Sequence, residues 1–443
     1  MTQTGDIFET LLTNLAVNTA DSIAARRDEI TKALNQDFRD IDGSTGHKLM
    51  VGSYGRATAI KGISDLDLLY ILPTDLKSTY RTAGGPLKVL RRTRKAIEKR
   101  YSDTTVYVDR LVVVVEFTNF TFEVQPVFEI QPASEDENYS YDYPDTYSDS
   151  WKLTKPRDEI EATREQNTAT QGNLRRLSKL TRAWRNKHGV VLGGLLIDTL
   201  AYNYLTSTET HRAARFDQHG EMMRDFLRYL ADEDDHEYYA ALGSRQRVKV
   251  KKAFQKKAAA GADLCDEAIS AAGTRGEYKK WRAVFGKASP AAPAAEAVLQ
   301  ASAAPTSTFT DTEEFIEDQY PVDIRNSLNL ACIVNEDGFR PLTLARYLME
   351  HRRLQPKKIL RFSVESTDVP LPYEVRWKVL NRGPEAERRN KVRGEITKGN
   401  YAGGAGRREP TEFRGDHYVE CYLIRRGVVV ARAHLDVLIE STH

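Results

Sequence analysis

At 443 residues the chain exceeds what one hydrophobic core usually holds, so at least two domains are expected. With 65 basic against 63 acidic residues the formal charge is +2, which gives no global pull toward nucleic acid or membrane, and any anion site must be local. Cys265, Cys332 and Cys421 show no C-x-x-C spacing, so neither a disulfide framework nor a zinc knuckle is readable. No apolar run approaches the roughly 20 residues of a membrane span, and the N-terminus lacks a signal peptide's basic start and apolar core. The expectation is a cytoplasmic protein with no membrane partner.

In chain order, residues 5–37 carry Ile7, Leu11, Leu15, Ile23, Ile30 and Leu34 at helical spacings. Lys48–Val51 reads as a short strand entering a Gly-Ser turn, and Asp65–Leu72 as a second strand, with room between them only for a short helix. A basic helix is expected over 86–100, then a hairpin with arms Thr105–Phe117 and Phe120–Ile130 turning at Thr118-Asn119. Residues 135–157, acidic and tyrosine-rich with two prolines, read as an irregular loop. Helix follows from Thr168 to about Leu205, broken near Gly189–Gly194, then over 222–230 and 250–272. The stretch around 286–312 is rich in Ala and Pro with few large side chains to bury, and reads as a linker. Beyond it Tyr373–Leu380, Tyr418–Ile424 and Val428–Ile439 look like strands, the last two joined at Arg425-Arg-Gly427. The domains expected are 1–285, with a catalytic sheet over about 40–135 and a helical half over about 160–285, and 313–443.

Asp65 and Asp67 lie two apart on a predicted strand, so both carboxylates share one face and can share a cation. Hard divalent cations prefer oxygen ligands, and in phosphoryl transfer they sit between carboxylates and the substrate's phosphates, so Mg2+ or Mn2+ is the expected cofactor. Gly52 lets the backbone approach an anion, and Ser53 with the following N–H groups can donate to a phosphate. A two-metal clamp needs a third carboxylate. Glu123, on the second hairpin arm, fits best; Glu116 on the first arm competes.

Gly52-Ser-Tyr-Gly-Arg-Ala-Thr-Ala-Ile60 followed by Ser64-Asp-Leu-Asp-Leu68 resembles the signature of polymerase-β-type nucleotidyltransferases. More narrowly it is similar to the bacterial relatives of cyclic GMP-AMP synthase and oligoadenylate synthase, over roughly residues 5–285. The resemblance implies an α+β fold: a polymerase-β-like core with a helical half, followed by a small β-rich C-terminal domain. It also implies nucleoside triphosphate substrates, a cyclic di- or oligonucleotide product, anti-phage defence and a downstream effector responding to the product. The third family carboxylate is usually Asp, where this chain has Glu123-Val-Gln-Pro126. Family members carry a basic residue two before a tryptophan on a spine helix, contacting the triphosphate. Arg182, before Trp184, takes that position, and Lys179 lies one turn earlier on nearly the same face.

The stretches Pro372–Ala386, Arg393–Ile396 and Gly415–Ile424 resemble the C-terminal sensor domain fused to adenylyl/guanylyl cyclases and to these synthetases. That implies a ligand at this domain, with Trp377, His417, Arg393 and Arg414 as stacking or charged contacts set against a plain β-core reading. Gly193-Gly-Leu-Leu-Ile-Asp-Thr-Leu-Ala-Tyr202 reads as packing, and the basic run Ala241–Lys252 as a solvated helix face rather than a site for a nucleic-acid activator. Tyr139, Tyr141, Tyr143 and Tyr147 suit either a base pocket or a loop packing on its own aromatics. Two other readings stay open: transfer to a protein, tRNA or small-molecule acceptor, and a non-catalytic nucleotide-sensing protein.

Overall fold

A computed structural model describes residues 2–135, 137–293, 313–336, 340–351 and 353–440. Most of the expected linker, residues 294–312, lies outside the described residues. The chain divides into two compact units, Met1–Ala183 with Gly193–Lys251, and Trp184–Leu192 with Lys252–His443. Among the described residues no helix is long and apolar enough to cross a membrane.

In unit one, helices α1 (Gln3–Asn14) and α2 (Ala20–Arg39) lead into β1 (Lys48–Met50), the single turn α3 (Gly52–Gly55) and β2 (Asp65–Ile71). Then come α4 (Lys77–Tyr80), α5 (Gly85–Arg100), β3 (Thr105–Asp109), β4 (Val112–Glu116) and β5 (Thr121–Ile130). The strands form a mixed sheet in the order β1-β2-β5-β4-β3, in which only β2 and β5 run parallel. The expected first hairpin arm is therefore two strands, because the chain reverses at Arg110, which takes a positive φ of 37°.

The period of two along β2 sets the sheet's two faces. Leu66, Leu68 and Tyr70 join Phe122 and Val124 of β5 against Ile30 and Leu34 of α2 and Val89 and Ile97 of α5. The intervening residues face the other way, where Leu69 and Val127 pack with Val51 and Tyr141 at one end and Asp65 and Asp67 stand at the other. One sheet face is thus sealed by helices, and the opposite face is left to carry polar groups.

Residues 135–157 are not an irregular loop. They contain β6 (Ser140–Asp145) and β7 (Ser150–Thr154), which extend the sheet from the end of β5. The acidic composition that argued against strand is accommodated by ion pairing: buried Asp145 accepts two hydrogen bonds from Arg110, at 3.0 and 3.1 Å. The helical part of unit one comprises α6 (Pro156–Ala169), the first turns of α7 (Asn173–His188), α8 (Gly194–Ser207) and α9 (His219–Asp232). The basic run after Ala241 is not a helix: β8 (Tyr238–Ala240) and β9 (Arg247–Lys249) form a small hairpin.

Unit two holds the end of α7, α10 (Gln255–Ser270), α11 (Gly276–Phe285) and two four-stranded sheets. One sheet is β11-β10-β12-β15, from β10 (Leu328–Asn335), β11 (Leu342–Thr343), β12 (Ile359–Thr367) and β15 (Arg407–Pro410), with helix α12 (Leu344–His351) after β11. The other is β14-β13-β16-β17, from β13 (Glu374–Leu380), β14 (Arg393–Thr397), β16 (Gly415–Arg425) and β17 (Val428–Ile439). The turn between β16 and β17 has Arg426 and Gly427 both at positive φ, which matches the right-handed strand twist in a two-residue hairpin. Phe362, Trp377, Val419, Cys421 and Val437 fill one core shared by both sheets. The architecture is α+β throughout, with a β-rich C-terminal part.

Candidate active site

Register places the acidic residues. On the parallel pair β2/β5, Asp67 stands opposite Glu123 and Asp65 opposite Thr121. Paired residues on neighbouring strands lie about 4.8 Å apart and point to the same face. Asp65, Asp67 and Glu123 are each half-buried, between neighbours that are fully buried on the helix side. Glu116 also faces this side, but it pairs with Thr121 from β4, two strands from Asp65, and accepts a hydrogen bond from the Tyr107 hydroxyl at 3.0 Å. Of the two glutamates, Glu123 is the one adjacent to the aspartates.

The Gly-Ser turn lies directly on this acidic face. Val51 N–H donates to the Asp67 carbonyl at 3.0 Å, pinning the turn to β2. Gly52 then takes φ +63°, and a Cβ built on it would stand 1.8 Å from Asp67 Oδ2. No other residue type fits there, because both the left-handed backbone and the close approach to the carboxylate exclude a side chain. The Ser53 carbonyl accepts from the N–H groups of Thr58 and Ala59, at 2.9 and 3.1 Å, which closes the loop behind it.

A buried ionic knot holds that loop from the helical side. Arg56 donates to Asp198 at 2.9 Å and to Glu159 at 3.1 Å, and the Thr58 hydroxyl donates to Asp198 at 2.9 Å. Arg182 donates to both Asp198 oxygens, at 2.7 and 3.0 Å, and to the Gly194 carbonyl at 3.0 Å. Burial pushes the Asp198 carboxyl up, but the charges of Arg182 and Arg56 outweigh it and leave it at about 2. Burial is the stronger influence on Glu159, whose carboxyl is raised despite Arg56.

Arg182 is therefore 3% exposed and engaged with a carboxylate, rather than presented to solvent. Lys179, one turn earlier, is half-buried and makes no hydrogen bond or ion pair among the described residues. Burial lowers its pKa, and nearby Arg175 and Arg182 lower it further. Arg175 in turn donates to the Arg56 carbonyl at 3.1 Å, so this face of α7 borders the loop that follows Ser53. Arg56, Glu159, Arg175 and Asp198 were not singled out from the sequence. Arg56 and Thr58 stood inside the quoted motif and Asp198 inside the stretch read as packing, but nothing local pairs them.

Among the described residues no three acidic, histidine or cysteine side chains converge into a preformed metal cage. The donor set nonetheless suits Mg2+, which is usually bound by one or two carboxylates together with waters and substrate phosphates rather than by an all-protein cage. In unit two, Trp377 is fully buried and donates to the Ala405 carbonyl at 3.2 Å. His417 accepts from Arg382 N–H at Nδ1 and bonds the Phe413 carbonyl through Nε2, and Arg393 is bidentate to Glu409. These three side chains serve the β-core and its edges. Tyr141 is likewise internal, bonded to Glu129 and Arg157, while Tyr147 is exposed.

Comparison with known proteins matches residues 1–167 to the Second Messenger Oligonucleotide or Dinucleotide Synthetase domain and residues 310–440 to the Adenylyl/Guanylyl and SMODS C-terminal sensor domain. No curated protein matches the chain. Similar solved structures include Escherichia coli MS115-1 CdnC in complex with HORMA-deltaN, at 15% identity and TM-score 0.47, covering 64% of this chain and 98% of that one. The Vibrio cholerae cyclic AMP-GMP synthase DncV is 13% identical with TM-score 0.45, covering 65% and 88%. Rhodothermus marinus CdnE c-UMP-AMP synthase is 15% identical with TM-score 0.44, covering 61% and 97%. The acidic face and its Gly-Ser turn thus lie within a domain of the second-messenger oligonucleotide or dinucleotide synthetase family, which this chain joins to a C-terminal sensor domain of the adenylyl/guanylyl cyclase and SMODS type.

Proposed function

We propose that this protein is a Mg2+-dependent nucleotidyltransferase that joins nucleoside triphosphates and closes them into a cyclic di- or oligonucleotide, acting in the cytoplasm as a signal in anti-phage defence. The observation that carries the reading is the acidic face: Asp67 in register with Glu123, Asp65 on the same side, and Gly52 against the Asp67 carboxylate.

Asp65, Asp67 and Glu123 would hold Mg2+, with Mn2+ as a substitute. When bound, the metal supplies Lewis-acid stabilisation of charge on the attacking ribose oxygen and on the departing pyrophosphate. The rest falls to the chain. The Gly52-Ser53 turn brings backbone N–H groups to the triphosphate without a side chain intervening. Lys179, with no partner of its own among the described residues, is the cation available to offset triphosphate charge. Arg182 is a positioning residue: through Asp198 it fixes Arg56 and Thr58, and through them the loop behind Ser53.

The test is incubation of the full chain with four labelled ribonucleoside triphosphates and Mg2+ or Mn2+, beside an Asp65→Ala/Asp67→Ala control, with phosphatase-resistant products resolved by mass. A resistant cyclic species absent from the control is the expected result. Triphosphate consumption that appears only when a protein, tRNA or small-molecule acceptor is added would replace this reading with acceptor nucleotidylation. The defence role predicts that cells carrying the wild-type gene together with an effector that responds to its product resist phage, and that Asp67→Asn abolishes the protection.

A further inference from the structure

Unit two contains a second set of charges that the chemistry proposed for unit one does not use. A cavity of about 350 Å3 is bounded by the end of α7, the start of α10, β10 and β17, all within this unit. Small-molecule sites span roughly 300–1,000 Å3, so the space suits a ligand of modest size. Its shape depends on Gly189, which ends α7 at φ +60° and lies so close to β17 that a Cβ would stand 2.4 Å from the Arg432 carbonyl oxygen.

The lining is strongly cationic: Lys187, Lys252, Lys257 and Arg432 face one carboxylate, Glu365. Arg432 is neutralised from behind, donating to Glu420 at 2.6 Å and to Glu317 at 3.2 Å. The lysines are not neutralised in this way. Lys252 reaches the Asn329 side-chain oxygen at 3.4 Å and Lys257 the His188 carbonyl at 3.5 Å, both uncharged acceptors at the limit of hydrogen bonding. Lys187 makes no hydrogen bond or ion pair among the described residues, although its stem is packed along Gly286. Burial lowers its pKa, with Glu420 and Arg432 acting in opposite senses. Lys187 is half-buried, and the carboxylates that act on it, Glu420 and Glu317, are already hydrogen-bonded to Arg432, so a bound anion would offset part of the cost of its burial. Helix α10, 16 residues long, begins at this cavity with no side-chain N-cap hydrogen bond from Phe254 among the described residues, and adds the positive end of a helix dipole.

Phosphate groups match the lysines and the helix start, while Leu328, Leu330 and Leu435 give an apolar wall for a base and Glu365 an acceptor for ribose or amino donors. We infer that this cavity is a metal-independent site for a nucleotide, held through its phosphates by Lys187, Lys252 and Lys257. Several of these residues lie outside the matched sensor domain at 310–440, so the site is assembled from that domain together with the end of α7 and the start of α10. The inference does not depend on what unit one catalyses.

Calorimetric titration of ATP into the full-chain Asp65→Asn/Asp67→Asn protein in EDTA tests it, with inorganic tripolyphosphate as the comparison. The expected result is one site that weakens with added salt, binds tripolyphosphate less tightly than ATP, loses at least tenfold in affinity on Lys187→Gln, and is unchanged by Lys179→Ala. If Lys187→Gln does not fold, the exposed pair Lys252→Gln/Lys257→Gln carries the same expectation. Absence of binding in EDTA, insensitivity to both sets of lysine variants, tripolyphosphate binding as tight as ATP, or loss of binding in Lys179→Ala would each overturn it.

Discussion

Unit one contains two charged constellations built on opposite rules. The acidic face gathers like charges, Asp65, Asp67 and Glu123, at half-buried positions on adjacent strands. The knot around Asp198 alternates opposite charges, Arg56, Glu159, Asp198 and Arg182, all buried. Like charges brought together raise the affinity of the place for an added cation, whereas an alternating knot is internally compensated and holds shape. On the proposed function, the acidic face is the place for chemistry and the knot a place for support. On the same reading Arg182, expected from local sequence to contact the triphosphate, belongs with the support, since it is buried and paired with Asp198.

The largest effect expected from breaking this contrast is on the knot. Asp198→Ala leaves two buried guanidinium groups without their shared carboxylate, a change that typically costs about 3–5 kcal/mol. At roughly 2–4 °C per kcal/mol for a domain of this size, thermal melting should fall by about 6–20 °C. A fall below about 3 °C would show that the knot does not support the fold. The wild type should also show an acid limb from this group. Its folded pKa, about 2, lies below the ordinary 3.8, so its stabilisation is complete above about pH 4 and is lost as pH falls toward 2. Glu159, whose pKa is raised, works in the opposite sense and contributes more as pH falls. Urea titrations of wild type and Asp198→Ala between pH 2 and 5 measure the limb, which the variant should lack.

Next in size is the joint between turn and acidic face. Gly52→Ala places a methyl group on the Asp67 carboxylate, so one or the other must shift by more than an ångström. Displacements of about 1 Å near reacting atoms commonly cost about 100-fold in rate. Pyrophosphate release should fall by about that factor, and an unimpaired Gly52→Ala enzyme would remove the turn from the site. The smallest effect sharpens the contrast on one helix. Lys179→Ala should raise KM for the triphosphate about tenfold while Tm moves less than about 2 °C. Arg182→Ala should lower Tm substantially, and Arg182→Lys should recover only part of it because one ammonium cannot span both Asp198 oxygens. Identical behaviour of the Lys179 and Arg182 variants in both assays would erase the distinction.

What could be read from sequence follows the range of the interactions involved. The aspartates on one strand face, the turn before them and the glutamate on a following strand are all encoded within short alternating segments. The strands 373–380, 418–424 and 428–439 were legible for the same reason. By contrast, β6 and β7 were hidden because their acidic residues look like loop until Arg110, 35 residues away from Asp145, is brought beside them. The pairing of Arg182 was hidden because its partner Asp198 lies 16 residues on, across the break between α7 and α8. In β10, Asn329, Ala331 and Asn335 dilute the β-type pattern, and pairing with β12 supplies what propensity does not.

The central claim is that the acidic face performs the chemistry and is not required for folding. Turnover and melting of Asp67→Asn measured on one preparation test it directly, with pyrophosphate release from triphosphates in Mg2+ as the rate. The account predicts a loss of at least about 1,000-fold in rate, in line with removal of a group that acts in the transition state, with Tm within about 3 °C of wild type. Turnover within tenfold of wild type would contradict it and move the active site elsewhere in the chain.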